Sequence, residues 1–142
     1  MYSKFGLFVN GSWQGSQTEA DVLSPVTEKS LGKAPSASDQ DTREAINSAV
    51  MALSPLREMG GFARADSLHR VADEMAMRAD DAARMISAET GKPLVQSGRE
   101  WGLSVDQFRW YAEEARRIYG RVVESRVPGG RFEITREPVG IV

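Results

Sequence analysis

The sequence contains no cysteine. Disulfides, thiolate metal sites and a cysteine nucleophile are therefore excluded from these residues, and a reducing cytoplasm is the expected setting. Histidine occurs once, as His69 next to Arg70, one position off an apolar helical stripe and with no other metal-ligating type clustered near it. That pattern reads as a solvated helix position, and no metal site is expected. No apolar run approaches the roughly 18 residues that a spanning helix needs. Met1 to Phe8 lack the basic start and long apolar stretch of a secretion signal. Neither charge dominates: 18 Lys and Arg face 20 Asp and Glu, for a net charge of −2, and the two signs are mixed along the chain. Nothing in that distribution favours nucleic acid or an anionic membrane. Repeats and low-complexity linkers are also missing, so one domain is expected over residues 1–142.

What is present is the composition of a globular protein, 41% apolar and 27% charged over 142 residues. The first 35 residues read as short strands and turns. Asn10-Gly11 between Leu7-Phe8-Val9 and Ser12-Trp13 is a strong hairpin signal, because both turn positions need positive φ. Val22-Leu23 and Ser30-Leu31, separated by Ser24-Pro25 and Thr27-Glu28, suggest a second hairpin.

Helical spacing begins at Ser38-Asp39. Ser38 is placed to cap free amides, and Asp39 and Asp41 suit the positive end of the helix dipole. Ile46, Ala49, Val50 and Leu53 share a face, and Pro55 is expected to end or kink the helix. After Gly60-Gly61, Ala65, Leu68, Ala72, Met75, Ala79, Ala82 and Ile86 form one stripe, with a pause expected near Arg78–Asp81 and a stop at Gly91. A third helix opens at Pro93, carries Trp101, Val105, Phe108, Ala112, Ala115 and Tyr119 on one face, and closes at Gly120. Beyond it, Arg121 to Val127 reads as extended or irregular, Pro128-Gly129-Gly130 as a turn and Arg131 to Arg136 as a strand. The apolar run Pro138–Val142 has the look of a strand buried on both faces in a parallel sheet, for which no neighbour follows.

Candidate chemistry is sparse. Gly91-Lys92-Pro93 lacks the upstream glycine and following Ser or Thr of a phosphate-binding loop, and reads as a helix-to-helix turn. Gly60-Gly61 and Gly129-Gly130 lack the strand-then-helix setting of a dinucleotide fingerprint. Asp80-Asp81 and Glu113-Glu114 are adjacent on helices, so each pair diverges by about 100° and reads as solvated surface. Met75, Met77 and Met85 read as packing residues. Arg99 and Leu103 lie one helical turn apart on a shared face, where Arg99 is a candidate to attract an anionic substrate group. A surface arginine is the plainer reading. No catalytic, cofactor-binding or metal-ligating set emerges from the residues alone.

The ordered segments nevertheless resemble a known family. Leu7-Phe8-Val9-Asn10-Gly11-Ser12-Trp13 is similar to the opening "(I/L)-(F/Y)-(I/V)-N-G-x-W" of NAD(P)-dependent aldehyde dehydrogenases. Ser24-Pro25-Val26-Thr27 with Leu31-Gly32 and Ala34-Pro35, then Arg64-Ala65 with Leu68 and Ala72-Asp73, come next in the family's order. Glu89-Thr90-Gly91-Lys92-Pro93-Leu94, Trp110-Tyr111-Ala112 with Gly120, and Arg136-Glu137-Pro138-Val139-Gly140-Ile141-Val142 complete the set. The likeness runs from about Phe5 to Val142. Ser24 stands where asparagine is usual, Glu28 where a turn glycine is usual, and Leu56 near a position often held by tryptophan. The run Trp110–Gly120 looks like the succinate-semialdehyde dehydrogenase branch.

The resemblance implies an α/β parent enzyme with a Rossmann-like cofactor domain, a catalytic domain and a small oligomerisation sheet, of which this chain is a mostly helical N-terminal part with hairpins before and strands after. Residues 121–137 are expected to extend to the oligomerisation sheet. The family oxidises an aldehyde to a carboxylic acid through a cysteine thiolate, with hydride passing to NAD or NADP and a glutamate activating water. The cysteine, the glutamate and the oxyanion-binding asparagine are expected beyond Val142. The segment alone is thus expected to be inactive and to bind no cofactor, and its partners are the remainder of the subunit and further copies, as a dimer or tetramer. Arg99 and Leu103 are the candidates for the substrate entrance. The alternative is a non-catalytic helical interaction module derived from the same family.

Overall fold

The computed structural model describes residues 6–142; the reading of the first residues as leader-free falls in part on residues 1–5, outside the described residues. Two hairpins open the chain. β1 (Leu7–Val9) pairs antiparallel with β2 (Ser12–Gln14), and β3 (Thr18–Leu23) with β4 (Ser30–Ser36). Asn10 and Gly11 both take positive φ, 50° and 76°, as a two-residue turn between right-twisted strands demands. The Ser12 hydroxyl donates to the Val9 carbonyl across that turn, at 3.2 Å.

The second turn explains two departures from the family pattern. Ser24 is buried, and its Oγ accepts from the amides of Val26 and Thr27 at 3.3 Å each, the local bonding that an asparagine supplies. Glu28 occupies the left-handed region, φ 57°, where a glycine carries no steric cost.

Four helices follow where the stripes suggested three: α1 (Asp39–Glu58), α2 (Gly61–Met77), α3 (Ala79–Thr90) and α4 (Leu94–Ala115). The start of α1 is a reciprocal capping box. The Ser38 hydroxyl accepts from the Asp41 amide, and the Asp41 carboxylate accepts from the Ser38 amide at 2.8 Å. The Ser38 hydroxyl also donates to the Asp41 carboxylate at 2.7 Å, and that bond first, with the one from the Ser38 amide, holds the Asp41 carboxyl below its ordinary pKa. Pro55 neither ends nor breaks α1, which runs on to Glu58. It sits in the last turn, where only one carbonyl partner is lost, and its own carbonyl accepts from the Met59 amide at 3.0 Å.

The expected pause at Arg78 is a true break. Arg78 serves as C-cap of α2 and N-cap of α3, at φ −103° and ψ 15°. The Trp101 indole N–H donates to the Met75 carbonyl at 2.7 Å, supplying from α4 a donor that a continuous helix would have provided. The break also re-phases the stripe: in α3 the buried residue is Ala83, while Ala79, Ala82 and Ile86 are half-buried. Gly91 closes α3 at φ 75°, as a left-handed cap. It also lies against the second turn, where a Cβ would meet Val26 Cγ2 at 3.1 Å.

α4 is the central element, packed against both α2 and α3. Ser97, Val105, Ala112 and Ala115 are its buried residues. Ser97 is fully buried and was not on the expected stripe; its hydroxyl bonds back to the Pro93 carbonyl at 3.4 Å, which hides a polar group on a packed face. Tyr119 was expected on that face but is exposed, because α4 ends at Ala115 and the chain leaves it through a tight turn. Ala65, Ala112 and Ala115, with Leu68 against them, form the core between α2 and α4. Alanines let two backbones approach closely, and Gly61 continues the contact: a Cβ there would lie 2.6 Å from the Ala115 carbonyl oxygen.

β5 (Arg121–Glu124) and β6 (Arg131–Ile134) form a third antiparallel hairpin. Gly120 permits its base, since a Cβ there would meet the Ile134 carbonyl oxygen at 2.5 Å. Pro138–Val142 forms no strand. A buried parallel strand requires a hydrogen-bonded neighbour, and among the described residues none lies alongside.

The described residues bury no large side chain completely; Ser97 is the largest that is fully enclosed. α1 buries none at all, and Ile46 and Val50, half of its expected inner face, are exposed. Leu94, Leu103, Trp110 and Tyr111 of α4, Phe132 of β6 and Val139 are likewise open. A fold with this much regular structure and so thin a core has apolar faces shaped for a cover that these residues do not provide.

Candidate functional site

α4 places Arg99 and Leu103 one turn apart, on a side of the helix away from buried Ser97 and Val105. Both are exposed, Leu103 at 57%. Among the described residues Arg99 takes part in no ion pair, whereas its neighbour Glu100 is paired with Lys92. The helix thus offers a cation and an apolar side chain side by side on an open surface. Neither lines the groove of about 670 Å³ along α2, which is formed by Arg70, Val71, Asp73, Met75, Arg78 and Trp101 among others.

His69 departs from the plain expectation. It is half-buried, and its Nε2 lies 3.0 Å from Glu113 Oε1, joining α2 to α4. Asp66 with Arg116 at 4.0 Å and Asp73 with Arg109 at 3.6 Å flank it one turn away on each side. Three polar pairs therefore edge the alanine core, and Glu113, expected on a solvated face, has a structural partner. The periodic spacing of 66, 69 and 73 against 116, 113 and 109 carried that signal, but only an antiparallel α2–α4 pairing brings it together. No group of three or more His, Asp and Glu able to hold a metal occurs among the described residues.

A cleft of about 520 Å³ between the end of α1, the start of α2 and the tail was not legible in the sequence. Arg57, Arg64 and Arg136 line it together with Leu53, Leu56 and Pro138. Arg64 is committed to the Met59 carbonyl, which fixes the α1–α2 turn.

Neither glycine pair has the strand-to-helix setting of a dinucleotide loop. Gly60-Gly61 joins two helices and is packed against Ala115, and Gly129-Gly130 lies in the β5–β6 turn. The strand-to-helix junction from β4 to α1 has no glycine, and its amides are taken by Ser38 and Asp41.

The aldehyde dehydrogenase family pattern matches residues 13–142. The chain belongs to the aldehyde dehydrogenase family. It is 33% identical to a glutarate-semialdehyde dehydrogenase of Pseudomonas putida over 137 residues, covering 94% of this chain and 28% of that protein. The NADP(+) succinate-semialdehyde dehydrogenase of Escherichia coli is also 33% identical, over 135 residues, with 94% and 28% covered. An aldehyde dehydrogenase crystal structure from Brucella melitensis biovar abortus superposes with a TM-score of 0.90 at 33% identity, over 96% of this chain and 29% of that one. The chain thus spans a little over a quarter of the length of these aldehyde dehydrogenases, and the thin core and open helix faces are those of a segment of a larger fold. No helix among the described residues is long and apolar enough to cross a membrane.

Proposed function

We propose that this aldehyde dehydrogenase segment forms the N-terminal part of the cofactor-binding domain of an enzyme that oxidises an aldehyde, of the semialdehyde class, to its carboxylic acid. The family match over residues 13–142 carries the reading, and the semialdehyde dehydrogenases among its relatives support the substrate class. NAD or NADP accepts the hydride in the complete enzyme, bound by residues outside this segment. The segment itself contributes scaffold: α1 and α4 present apolar faces to the remainder of the subunit, in the cytoplasm. Residues 121–137, the β5–β6 hairpin and its flanks, extend to the sheet through which subunits associate as dimers or tetramers. Both faces of that hairpin are exposed, Val122 at 72% and Phe132 at 61%, as a ribbon awaiting a neighbour would be.

Arg99 and Leu103 border the substrate entrance in this reading. The unpaired guanidinium of Arg99 attracts the distal carboxylate of a semialdehyde, and Leu103 packs against its methylenes. In the complete enzyme, Arg99→Ala is expected to raise KM for a carboxylate-bearing semialdehyde several-fold and leave KM for a neutral aldehyde of similar length unchanged. Equal effects on both substrates sink the assignment. The purified segment is expected to reduce neither NAD nor NADP in the presence of any aldehyde, and to show no saturable cofactor binding by calorimetry. Turnover by the segment alone sinks the scaffold reading. A non-catalytic helical module of the same ancestry would instead be monodisperse and melt cooperatively unaided; the exposed faces of α1 and α4 favour the scaffold.

A further inference from the structure

We propose that Asn10 is a site of spontaneous deamidation whose product unlatches α1 from the first hairpin. The chain has two asparagines, Asn10 and Asn47, both exposed. They differ in the residue on their C-terminal side and in their backbone. Asn47 lies in the middle of α1 and precedes Ser48, whose amide is held in the helix. Asn10 precedes Gly11 in the turn of β1–β2; Gly11 has no side chain to shield its nitrogen, and a Cβ added there would touch nothing within 4 Å, so the turn stands open. The Val9–Ser12 pairing closes that turn without using the Gly11 amide. Each strand is only three residues long, and a two-stranded ribbon of that size opens readily, bringing the Asn10 side chain within reach of the Gly11 nitrogen.

The chemistry needs only water and base. The Gly11 amide loses its proton to hydroxide and its nitrogen bonds to Asn10 Cγ. The Cγ–Nδ2 bond breaks, and the nitrogen leaves as ammonia after taking a proton from solvent. Water then opens the five-membered imide at either carbonyl, adding hydroxyl to carbon and hydrogen to nitrogen. The sum is amide plus water to acid plus ammonia, with no oxidant. Opening at the main-chain carbonyl gives isoaspartate, which routes the backbone through the side chain and adds a methylene to it; opening at Cγ leaves the Gly11 nitrogen on the main-chain carbonyl and gives ordinary aspartate.

That insertion matters because of Ser48. Its hydroxyl lies 3.3 Å from Asn10 Oδ1, the one side-chain hydrogen bond between the first hairpin and α1 among the described residues. α1 buries no residue and packs chiefly on β1. Aspartate at position 10 keeps an acceptor for Ser48 and keeps the turn. Isoaspartate still carries a carboxylate, but a two-residue turn has no room for the added backbone atom, so the turn is lost and with it the placement of that acceptor against Ser48.

The test is to age the purified protein at mildly alkaline pH and map its peptides by mass spectrometry, with isoaspartyl methyl transfer to tell the two products apart. The peptide holding Asn10 is expected to split progressively into aspartyl and isoaspartyl forms, while the peptide holding Asn47 stays intact. Persistence of Asn10 in the folded protein, when the urea-unfolded chain deamidates there, overturns the proposal, as does an equal rate at Asn47. Amide exchange supplies the second readout. Exchange across α1 is expected to quicken in the isoaspartyl fraction and to stay unchanged in Asn10→Asp; unchanged exchange in both overturns the unlatching.

Discussion

The contact between the start of α2 and the end of α4 sets up a direct contest between helix propensity and packing. Gly61 is the first residue of α2, and alanine in place of a helical glycine ordinarily stabilises by up to about 1 kcal/mol. Here the added Cβ would lie 2.6 Å from the Ala115 carbonyl oxygen, with the Ala115 carbonyl carbon and Arg116 Cα at 3.5 Å behind it. All three atoms are backbone, so no rotamer change relieves the clash; α2 and α4 have to part, and the Ala65–Ala112–Ala115 core opens with them. Overpacking of this kind costs about 1–3 kcal/mol, and the gain in propensity is smallest in a first turn, so packing wins. Gly102 is the matched control: it lies mid-way along α4, exposed, and a Cβ there touches nothing within 4 Å. Gly102→Ala is expected to stabilise by about 0.5–1 kcal/mol, chiefly by restricting the unfolded chain, and Gly61→Ala to destabilise by about 1–2 kcal/mol. Urea titrations followed by circular dichroism at equal, low protein concentration measure both, with unchanged m values required. If both substitutions stabilise alike, α2 and α4 do not meet backbone to backbone at Gly61.

Glu28→Gly removes the Cβ from a residue held at φ 57° and is expected to raise stability by about 1 kcal/mol in the same titration. Trp101→Phe removes the indole donor to Met75; the Arg78 amide still reaches that carbonyl at 3.2 Å, so a loss of only about 1 kcal/mol is expected, with faster amide exchange around residue 78. Because the Asp41 carboxyl is held below its ordinary pKa by its bonds to Ser38, its contribution is present at neutral pH and is lost as the pH falls through the acidic range below the usual aspartate value. Ser38→Ala should therefore reduce α1 helicity at neutral pH, and the difference from the parent chain should narrow in acid to what the pH-independent bond from the Asp41 amide to the Ser38 hydroxyl contributes, as read by circular dichroism. The open faces of α1 and α4 should make the isolated chain self-associate in sedimentation velocity; Ile46→Glu with Val50→Lys is expected to shift it toward monomer, and no shift would place the sticky surface elsewhere.

Local features were legible in the sequence because their causes are local. Asn10-Gly11 names its turn through the φ values it tolerates, Ser38 and Asp41 name a capping box, and Gly91 names a helix end. The order of the family-like segments pointed to the family that residues 13–142 match. The candidate site was legible only as residue types: Arg99 and Leu103 fall on one face of α4 by helical spacing, and spacing says nothing of what faces them. The tertiary structure decided the rest. The apolar stripe suggested only a pause near Arg78–Asp81; the indole that meets the Met75 carbonyl at the full break comes from more than twenty residues downstream, on α4. Ser97 lies off the expected stripe and is buried all the same, and Glu113 reads as solvated surface until His69 arrives from another helix. Pro138–Val142 has every mark of a buried strand and forms none, because pairing belongs to two segments at once. The sequence by itself determined where the chain turns, caps and bends, which depends on each residue and its near neighbours; only the tertiary structure decided what is covered, which depends on whatever backbone comes to lie alongside.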